Sequence, residues 1–374
     1  MSGTKGKVNI LGAGVTGLTV GLLLQLQGYQ VTIISKSSPE DWDSDKQFTS
    51  PKAGAHWRSV ATKEDLRLQK WDRDTYETLV KLLKVPEAGL MIVPSYEVSQ
   101  SIPDEKDPLF SSYVLNYRRM QSNELQDGMN FGIAYETVCI NVPVYLTWLL
   151  REFKKRNGRL EHRVINHFNH LFNDADVVIN CSGMGARYLP GVEDQKVYPT
   201  RGQTVLVYAP NLKYTITTGD EDMKKGKKKD DNIKSGDKEA SDKFTYVIPR
   251  VDGVVVLGGT YQANNFSLDV CKKTSAKIIS RCLAICPELL NADGKLEILE
   301  HKVGLRPTRV GGIRLEGSPV QVGNRKVFVA HNYGHGGYGY QSSWGAAKSM
   351  VKLVNDYMNQ KNDDQILETL PARL

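Results

Sequence analysis

Lys7-Val8-Asn9-Ile10-Leu11, followed directly by Gly12-Ala13-Gly14-Val15-Thr16-Gly17 and the apolar run Leu18 to Gln25, is the stretch whose reading decides the fold. Its composition predicts a strand, a tight glycine turn and a helix in immediate succession, with a second strand at Gln30 to Ile34. Each glycine has a separate duty. Gly12 permits the turn, Gly14 lets a pyrophosphate approach the backbone, and Gly17 lets the helix pack on the strand. The free amides and positive dipole end of the helix N-terminus favour a phosphate at this point. A Rossmann-like, dinucleotide-binding beginning is therefore expected.

Such a unit usually places an acidic residue about twenty positions downstream, where it grips a ribose hydroxyl. That residue is missing. The second strand ends in Ser35-Lys36, and Glu40 and Asp41 lie beyond the turn Ser37-Ser38-Pro39. The ribose contact must be different or indirect, with Ser35 and Lys36 at the strand end assigned to the cofactor. This departure weakens an NAD reading more than a flavin one.

The chain has 374 residues, enough for two domains or one large one, and a globular composition. Its formal charge is +7, but Lys and Arg are interleaved with Asp and Glu along most of the chain, which argues against nucleic acid as a partner. An excess of cations favours anionic substrates by long-range attraction. The five cysteines show no zinc spacing, and Cys282 and Cys286 read as small core residues on one helix, so no metal is expected. There is no apolar run long enough to span a bilayer, and no membrane association is expected. The last three residues, Ala372-Arg373-Leu374, resemble a peroxisomal address read by an import receptor.

Further along, Phe48-Thr49-Ser50-Pro51 breaks into the small-residue run Ala53-Gly54-Ala55-His56, which suggests close approach of a ligand. Leu66 to Leu83 and Val144 to Lys155 read as helices, and Gly89 to Val98, Gly132 to Tyr135, Leu160 to Val164 and Asp176 to Asn180 as strands. Residues 220–243 carry eight acids against eight lysines and cannot pack as core, so a solvated surface loop is expected. Thr245 to Pro249 and Gly253 to Tyr261 read as an antiparallel pair, and Ser275 to Ile285 as a helix. Val327 to His331 is a buried strand followed by a second glycine-rich turn, through Gly334, Gly336, Gly337 and Gly339, into a helix from about Ser343. That turn implies a second point where backbone amides face a cofactor or substrate.

Seven collinear segments resemble the FAD-dependent D-amino-acid oxidase family, fungal branch: Gly12 to Gly17, Thr49-Ser50-Pro51 with Ala53-Gly54-Ala55, Asn180-Cys181-Ser182-Gly183, Arg201-Gly202-Gln203, Tyr246-Val247-Ile248-Pro249-Arg250, Val303-Gly304-Leu305-Arg306-Pro307, and His331 to Gln341. The resemblance implies an α/β fold, a Rossmann-like FAD-binding domain with an inserted, mostly antiparallel substrate domain. The FAD-binding domain would comprise residues 1–58, 141–200 and 303–374, and the substrate domain 59–140 and 201–302. It also implies the reaction: a D-amino acid gives up its α-hydrogen as hydride to flavin nitrogen 5, the imino acid hydrolyses to a 2-oxo acid and ammonia, and O2 is reduced to hydrogen peroxide. The hard chemistry belongs to the cofactor. A peroxisomal matrix location is common in the family, and a homodimer is left open.

Carried over residue by residue, the resemblance makes Arg306 the bidentate partner of the substrate carboxylate, a task that suits the planar guanidinium. Arg309 and Arg314 lie nearby and offer the same chemistry. Tyr246 would donate its hydroxyl to that carboxylate, the Gly337 carbonyl would receive the amino group, and Gln341 would lie near it. Val164, Ser182 and Gly183 would line the adenosine half of FAD, while Thr49, Ser50, Gly54 and Ala55 would approach the flavin or diphosphate. Amides from Gly336 onward would meet negative charge on the reduced flavin ring, with Gly334, Gly337, Tyr338, Gly339, Tyr340 and Gln341 around it. No catalytic acid or base is required, and His335 is assigned a structural role.

The departures bear on specificity. Fungal relatives often carry Trp and Asn where this chain has Lys52 and His56, and Arg58 follows two residues on. Cationic or donor groups there would accept a side-chain carboxylate. Against this, acid-specific animal relatives carry Arg where this chain has Tyr261. D-aspartate oxidation remains the alternative to oxidation of neutral D-amino acids.

Overall fold

Strand β1 (Lys7–Leu11) runs into Gly12, whose φ of +104° turns the chain sharply, and helix α1 (Val15–Leu26) begins three residues later. The computed structural model describes residues 4–41, 44–104, 107–218 and 244–369, with side chains to residue 361. The charged stretch 220–243 and the tripeptide Ala372-Arg373-Leu374 lie outside the described residues. Helix α1 is apolar nearly all round and is correspondingly buried, with Leu18, Val20, Leu22 and Leu24 in the main core. Gly17 is where helix meets turn: a Cβ there would stand 1.9 Å from the Gly12 carbonyl oxygen, so only glycine fits.

Strand β2 (Gln30–Ser35) pairs in parallel with β1. The amphipathic helix α2 (Leu66–Leu82) follows, its N-terminus capped by the Asp65 carboxylate, which accepts from the Leu68 amide at 2.9 Å. It buries Leu68, Trp71, Asp72, Thr75, Tyr76 and Leu79, the spacing of one helical face. Strands β3 (Leu90–Ser99), β4 (Arg118–Arg119) and β5 (Phe131–Ile140) come next, then α3 (Val142–Lys155), β6 (Arg159–His162) and β7 (Val177–Asn180). The second half adds β8 (Val197–Tyr208), β9 (Thr215–Thr218), β10 (Thr245–Pro249), β11 (Val254–Gly258) and β12 (Gln262–Ala263). A helix Lys272–Ile285, β13 (Ile298–Arg309), β14 (Arg314–Val322), β15 (Arg325–Tyr333) and the helix Ser343–Thr369 complete the order.

Two sheets result. The first has six strands in the order β14-β15-β7-β1-β2-β6, all parallel except the β14–β15 pair. The second has nine strands, is antiparallel apart from β3 on β9, and rests its own core on the helix Lys272–Ile285. The α/β class with a largely antiparallel second unit is thus as the sequence implies.

Several boundaries differ from those read in the sequence. The strand expected over Leu160 to Val164 ends at His162, which leaves Val164 exposed on a loop. The pair β8–β13, in one register from Val197 opposite Arg309 to Leu206 opposite Glu300 and shifted by a bulge before Ile298, was foreseen only as short motifs. Gly202, Gly304 and Pro307 interrupt the strand pattern, and such residues read as breakers; here Pro307 faces Pro199 across the pair. The expected divisions at 200/201 and 302/303 fall inside these two strands.

Candidate active site

The carboxyl ends of β1, β2, β6, β7 and β15 all open on one cavity of about 1560 Å³, the place where parallel α/β sheets bind ligands. Its wall at the first strand is Gly12, Ala13, Gly14, Val15 and Thr16; at the second, Ser35 and Lys36; at the seventh, Ser182 and Gly183; at the fifteenth, Gly334, Gly336, Gly337, Tyr338, Gly339, Tyr340 and Gln341. Thr49, Ser50, Gly54, Ala55, His56, Val164, Tyr246 and Arg306 complete the set expected from sequence. Gly17 alone of that set does not reach the cavity, because it is spent on the Gly12 carbonyl.

Ser50 joins the walls. Its Oγ accepts the Val15 amide at 3.1 Å, and its carbonyl accepts the Tyr340 hydroxyl at 2.9 Å. The neighbouring Thr49 hydroxyl donates to the Leu305 carbonyl at 2.9 Å, next to Arg306. Gly14 leaves room for this arrangement, since a Cβ there would lie 2.9 Å from Ser50 Oγ. The Ala13 amide meets Ser35 Oγ at 3.2 Å. Thr16, in the first turn of α1, stands at the cavity wall beside Gly14 and Val15, and a helix N-terminus at such a wall is the arrangement that holds a diphosphate. Ser182 Oγ, buried at the wall without a hydrogen-bond partner among the described residues, and the φ of +56° at Gly183 mark another cradle at the end of the neighbouring strand β7. A dinucleotide with an adenosine half fits these donors.

One carboxylate on this wall escaped the sequence reading. Asp45 lines the cavity beyond the end of β2, bonded by the Ser37 hydroxyl and 3.5 Å from the Lys36 ammonium. Burial works to raise its carboxyl, but Ser37, the Gln47 amide and Lys36 together hold it below the usual range. It lies too far along the chain for the customary spacing, yet its contacts with Lys36 and Ser37 hold it at the strand end. Glu40 and Asp41 point elsewhere, to Lys154 and to the Ser38 amide.

At the other end of the cavity, Arg306 sits on β13. Its Nη1 donates to the Thr260 carbonyl at 2.9 Å, its guanidinium carbon lies 5.8 Å from the Tyr261 ring centroid, and its stem passes Gly337. Gly202, opposite on β8, makes the space: a Cβ there would meet the guanidinium at 2.4 Å. The alternatives Arg309 and Arg314 are committed to Asp194, at 2.8 and 3.8 Å. Of the arginines at the cavity wall, Arg58 pairs with Glu97 and Arg163 with Glu161, whereas Arg306 has no acidic partner among the described residues. Tyr246 is buried against Gly258 and Gly259. Burial raises its hydroxyl, the Arg306 charge beside it works the other way, and the group stays a proton donor near neutrality.

The other motif residues serve as struts. The Arg250 guanidinium holds the Ala53 carbonyl at 3.0 Å, fixing the small-residue run. Arg201 and Gln203 tie β8 to the Ser267–Cys271 loop. Gln341 lines the cavity but turns its amide to the buried Asp72 at 3.2 Å. His335 bridges Asn332 and Ser342, and burial lowers it to about 4, so it is neutral. His56 is likewise lowered to about 4, by burial first and by Arg58 second. Of the cationic or donor groups expected in this stretch, His56 is thus a neutral imidazole, its Nε2 buried and without a hydrogen-bond partner among the described residues. Arg58, in turn, is paired rather than open: it lies 2.9 Å from Glu97, whose other oxygen takes the Tyr135 hydroxyl at 2.7 Å. Glu97 gave no signal in the sequence, being one residue of an alternating strand.

A family model described as FAD dependent oxidoreductase (DAO) matches residues 7–353. A D-amino-acid oxidase of Schizosaccharomyces pombe is 33% identical over 92% of this chain and 95% of its own length. A D-amino-acid oxidase of Fusarium vanettenii is 30% identical over 92% and 96%, and one of Rubrobacter xylanophilus 32% identical over 95% and 98%. Among solved structures, a glycine oxidase of Bacillus cereus covers 99% of both chains at a TM-score of 0.69 and 18% identity, a likeness of fold.

Proposed function

This chain belongs to the FAD dependent oxidoreductase (DAO) family, and from that premise we propose that it catalyses the oxidative deamination of D-amino acids to 2-oxo acids, with release of ammonia and hydrogen peroxide. The observation that carries the substrate assignment is Arg306, the cavity-wall arginine without an acidic partner among the described residues, set beside the Tyr246 hydroxyl. Bound FAD supplies the two-electron acceptor for the α-hydrogen and the path from there to O2.

The protein's own residues bind and orient. The first-turn amides of α1 hold the diphosphate, Ser182, Gly183 and the rim at Val164 take the adenosine half, and Asp45 with Ser35 and Lys36 meets the ribose. Arg306 fixes the substrate carboxylate through both nitrogens of its fork, and Tyr246 donates the third hydrogen bond. Gly337, beside the Arg306 stem, places its carbonyl to receive the amino group. The amides of the Gly336–Gly337 turn stabilise negative charge that develops nearby. No side chain is needed as a base, and His335 keeps the turn in shape through Asn332 and Ser342.

Neutral side chains are the preferred substrates. The second reading, D-aspartate oxidation, rests on Lys52, His56 and Arg58 at the cavity wall; of these the Lys52 ammonium donates to the Lys46 carbonyl, the Arg58 charge is met by Glu97 and His56 is neutral. Replacing His56 by Asn tests its share: an unaltered ratio of acidic to neutral turnover removes it as a selector. Where Ala372-Arg373-Leu374 form the free C-terminus, they address the enzyme to the peroxisomal matrix; a fluorescent fusion that stays diffuse would refute this. The family leaves a homodimer open, to be read by light scattering. Activity itself is tested on the purified protein, which should be yellow and produce peroxide with D-alanine and not L-alanine. A colourless, FAD-free protein indifferent to both would overturn the proposal.

A further inference from the structure

Asp72 is wholly buried on α2, and hydrogen bonds around it fix where its carboxyl group stands. The Trp57 indole donates to the Asp72 main-chain carbonyl at 2.9 Å, the Trp71 indole to Ser349 Oγ at 2.7 Å, and the Gly345 amide to the Thr75 hydroxyl at 3.0 Å. The last two bonds tie α2 to the helix Ser343–Thr369, which begins just after Gln341. Asp72 Oδ2 accepts the Ser59 hydroxyl at 2.7 Å and Gln341 Nε2 at 3.2 Å, while Oδ1 is buried with no hydrogen-bond partner among the described residues. Burying a carboxyl group with an oxygen left over is costly. Ser59 and Gln341 both line the cavity, so this group stands directly behind its wall.

The chemistry of the pair fixes a direction. An ionised carboxylate only accepts, so it holds the Gln341 amide by its NH2 end and leaves the amide oxygen as the end that meets the cavity. That oxygen is an acceptor, matched to the N–H donors of a substrate amino group that also reaches the Gly337 carbonyl. Turned the other way, the amide would set its own NH2 against those donors. A protonated Asp72 loses this hold, because a carboxylic acid can donate to the amide oxygen as well as accept from the amide NH2.

We propose that Asp72 is a positioning residue for the reaction: ionised, it locks Gln341 with the amide oxygen toward the substrate's amino group, and on taking up a proton it releases that lock. The proposal rests on the reading of the chain as a D-amino-acid oxidase. Burial raises the Asp72 carboxyl to about 8, against the bonds from Ser59 and Gln341, and the Asp65 charge at the cap of the same helix adds to the rise. The Tyr113 phenol, bonded to Ser59, feels the Asp72 charge in turn. Arg73, next in the chain, is turned to Glu77, and Lys348 of the packed helix reaches the Asp74 carbonyl and the Thr78 hydroxyl. On β3 Glu97 is paired with Arg58, on β5 Glu136 acts on Tyr76, and His335 beside Gln341 is neutral. The lock is therefore open on the acid side of about pH 8 and set above it.

Peroxide formation from D-alanine, followed from about pH 6 to about pH 10 on the wild type and on Asp72→Asn, tests this. The variant cannot ionise at this position, and the ratio of the two enzymes removes the substrate's own titration. The ratio of kcat/KM, wild type over variant, should lie near unity at the acid end and rise roughly three- to tenfold through pH 8, the contribution of one hydrogen bond. The change should fall mainly on KM. Gln341→Met leaves no amide to turn, so in that background adding Asp72→Asn should alter kcat/KM by less than about twofold at every pH. The inhibition constant of propionate, which is D-alanine without its amino group, should be unchanged in all these variants. A flat ratio in a folded, FAD-containing Asp72→Asn enzyme, a pH effect that survives Gln341→Met, or propionate weakened as much as D-alanine refutes the proposal. Should Asp72→Asn fail to hold FAD, the ratio of the wild type to Gln341→Met decides, and it must show the same rise. A wild type that oxidises D-alanine while failing these comparisons sinks the Asp72 assignment alone. One that oxidises no D-amino acid sinks the activity reading and this proposal together.

Discussion

Replacing Arg306 by leucine removes the one cavity-wall arginine that has no acidic partner among the described residues. In the present fold its Nη1 donates to the Thr260 carbonyl, its guanidinium carbon lies 5.8 Å from the Tyr261 ring centroid, and no carboxylate among the described residues is left stranded if it goes. The folded protein should therefore lose little stability, while the substrate loses two charge-assisted hydrogen bonds and leaves its carboxylate buried without a counter-charge, with only the Tyr246 hydroxyl to meet it. Breaking a buried pair from one side costs about 3–5 kcal/mol, which corresponds to roughly 10²- to 10⁴-fold in kcat/KM. Because the carboxylate stays clear of the bond that breaks, the loss should fall mainly on KM. Arg306→Lys keeps the charge and loses the fork, and should cost less, on the order of tenfold. Gly202→Ala should act in the same direction, since its Cβ would stand 2.4 Å from the guanidinium and displace it. The assay is steady-state peroxide formation with D-alanine, with the visible flavin spectrum and Tm recorded on each variant. An Arg306→Leu enzyme with the wild-type KM refutes the reasoning; one that has lost its flavin or its Tm shows a structural failure instead.

Tyr246→Phe removes one donor to a charged acceptor and should lower kcat/KM by about 1.5–3 kcal/mol, roughly ten- to a hundredfold; unchanged kinetics would place the hydroxyl outside the substrate's reach. Gly17→Ala drives a Cβ into the Gly12 carbonyl, a clash of backbone that cannot swing away, and should lower Tm and FAD content together; a stable, fully flavinylated variant would contradict the packing described. Asp72 gives a pH signature. Burial raises its carboxyl to about 8, against hydrogen bonds from Ser59 and Gln341. An acid whose folded value exceeds its unfolded value of about 4 takes up a proton on folding, so its contribution declines as pH rises from about 4 to 8 and is level above. The Tm of Asp72→Asn relative to the wild type should accordingly improve between pH 5 and pH 8, and a constant difference would exclude this titration.

The first βαβ unit was legible because its signals are local: a strand, glycines at fixed offsets and an apolar helix need no distant partner to be understood. The second glycine turn at Gly334 to Gly339 was readable for the same reason. Arg306 was identified only through a resemblance, since what distinguishes it from Arg309 and Arg314 is the absence of a carboxylate, and Asp194 lies more than a hundred positions away in the chain. The β8–β13 pair stayed hidden because glycine and proline break the strand pattern where the site needs room for a side chain. Asp45 was missed because it lies further along the chain than the customary spacing, held at the end of β2 by Lys36 and Ser37. Glu97, Thr217 and Asp72 carried no signal at all: strand register aligns the first two with Tyr246, and helix packing delivers the third to Gln341.

The dipeptide Thr49-Ser50 fastens the α1 turn, the Tyr340 turn and the Arg306 strand to one another through hydrogen bonds. Whatever orders one of these three pieces lowers the entropy cost of ordering the others. FAD and a carboxylate ligand should thus behave as mutual effectors, each tightening the other's hold by the same factor, as thermodynamic reciprocity demands. Cutting the Ser50 hydroxyl would uncouple them, so that an enzyme still able to bind both partners would no longer register, at one seat, that the other had been filled.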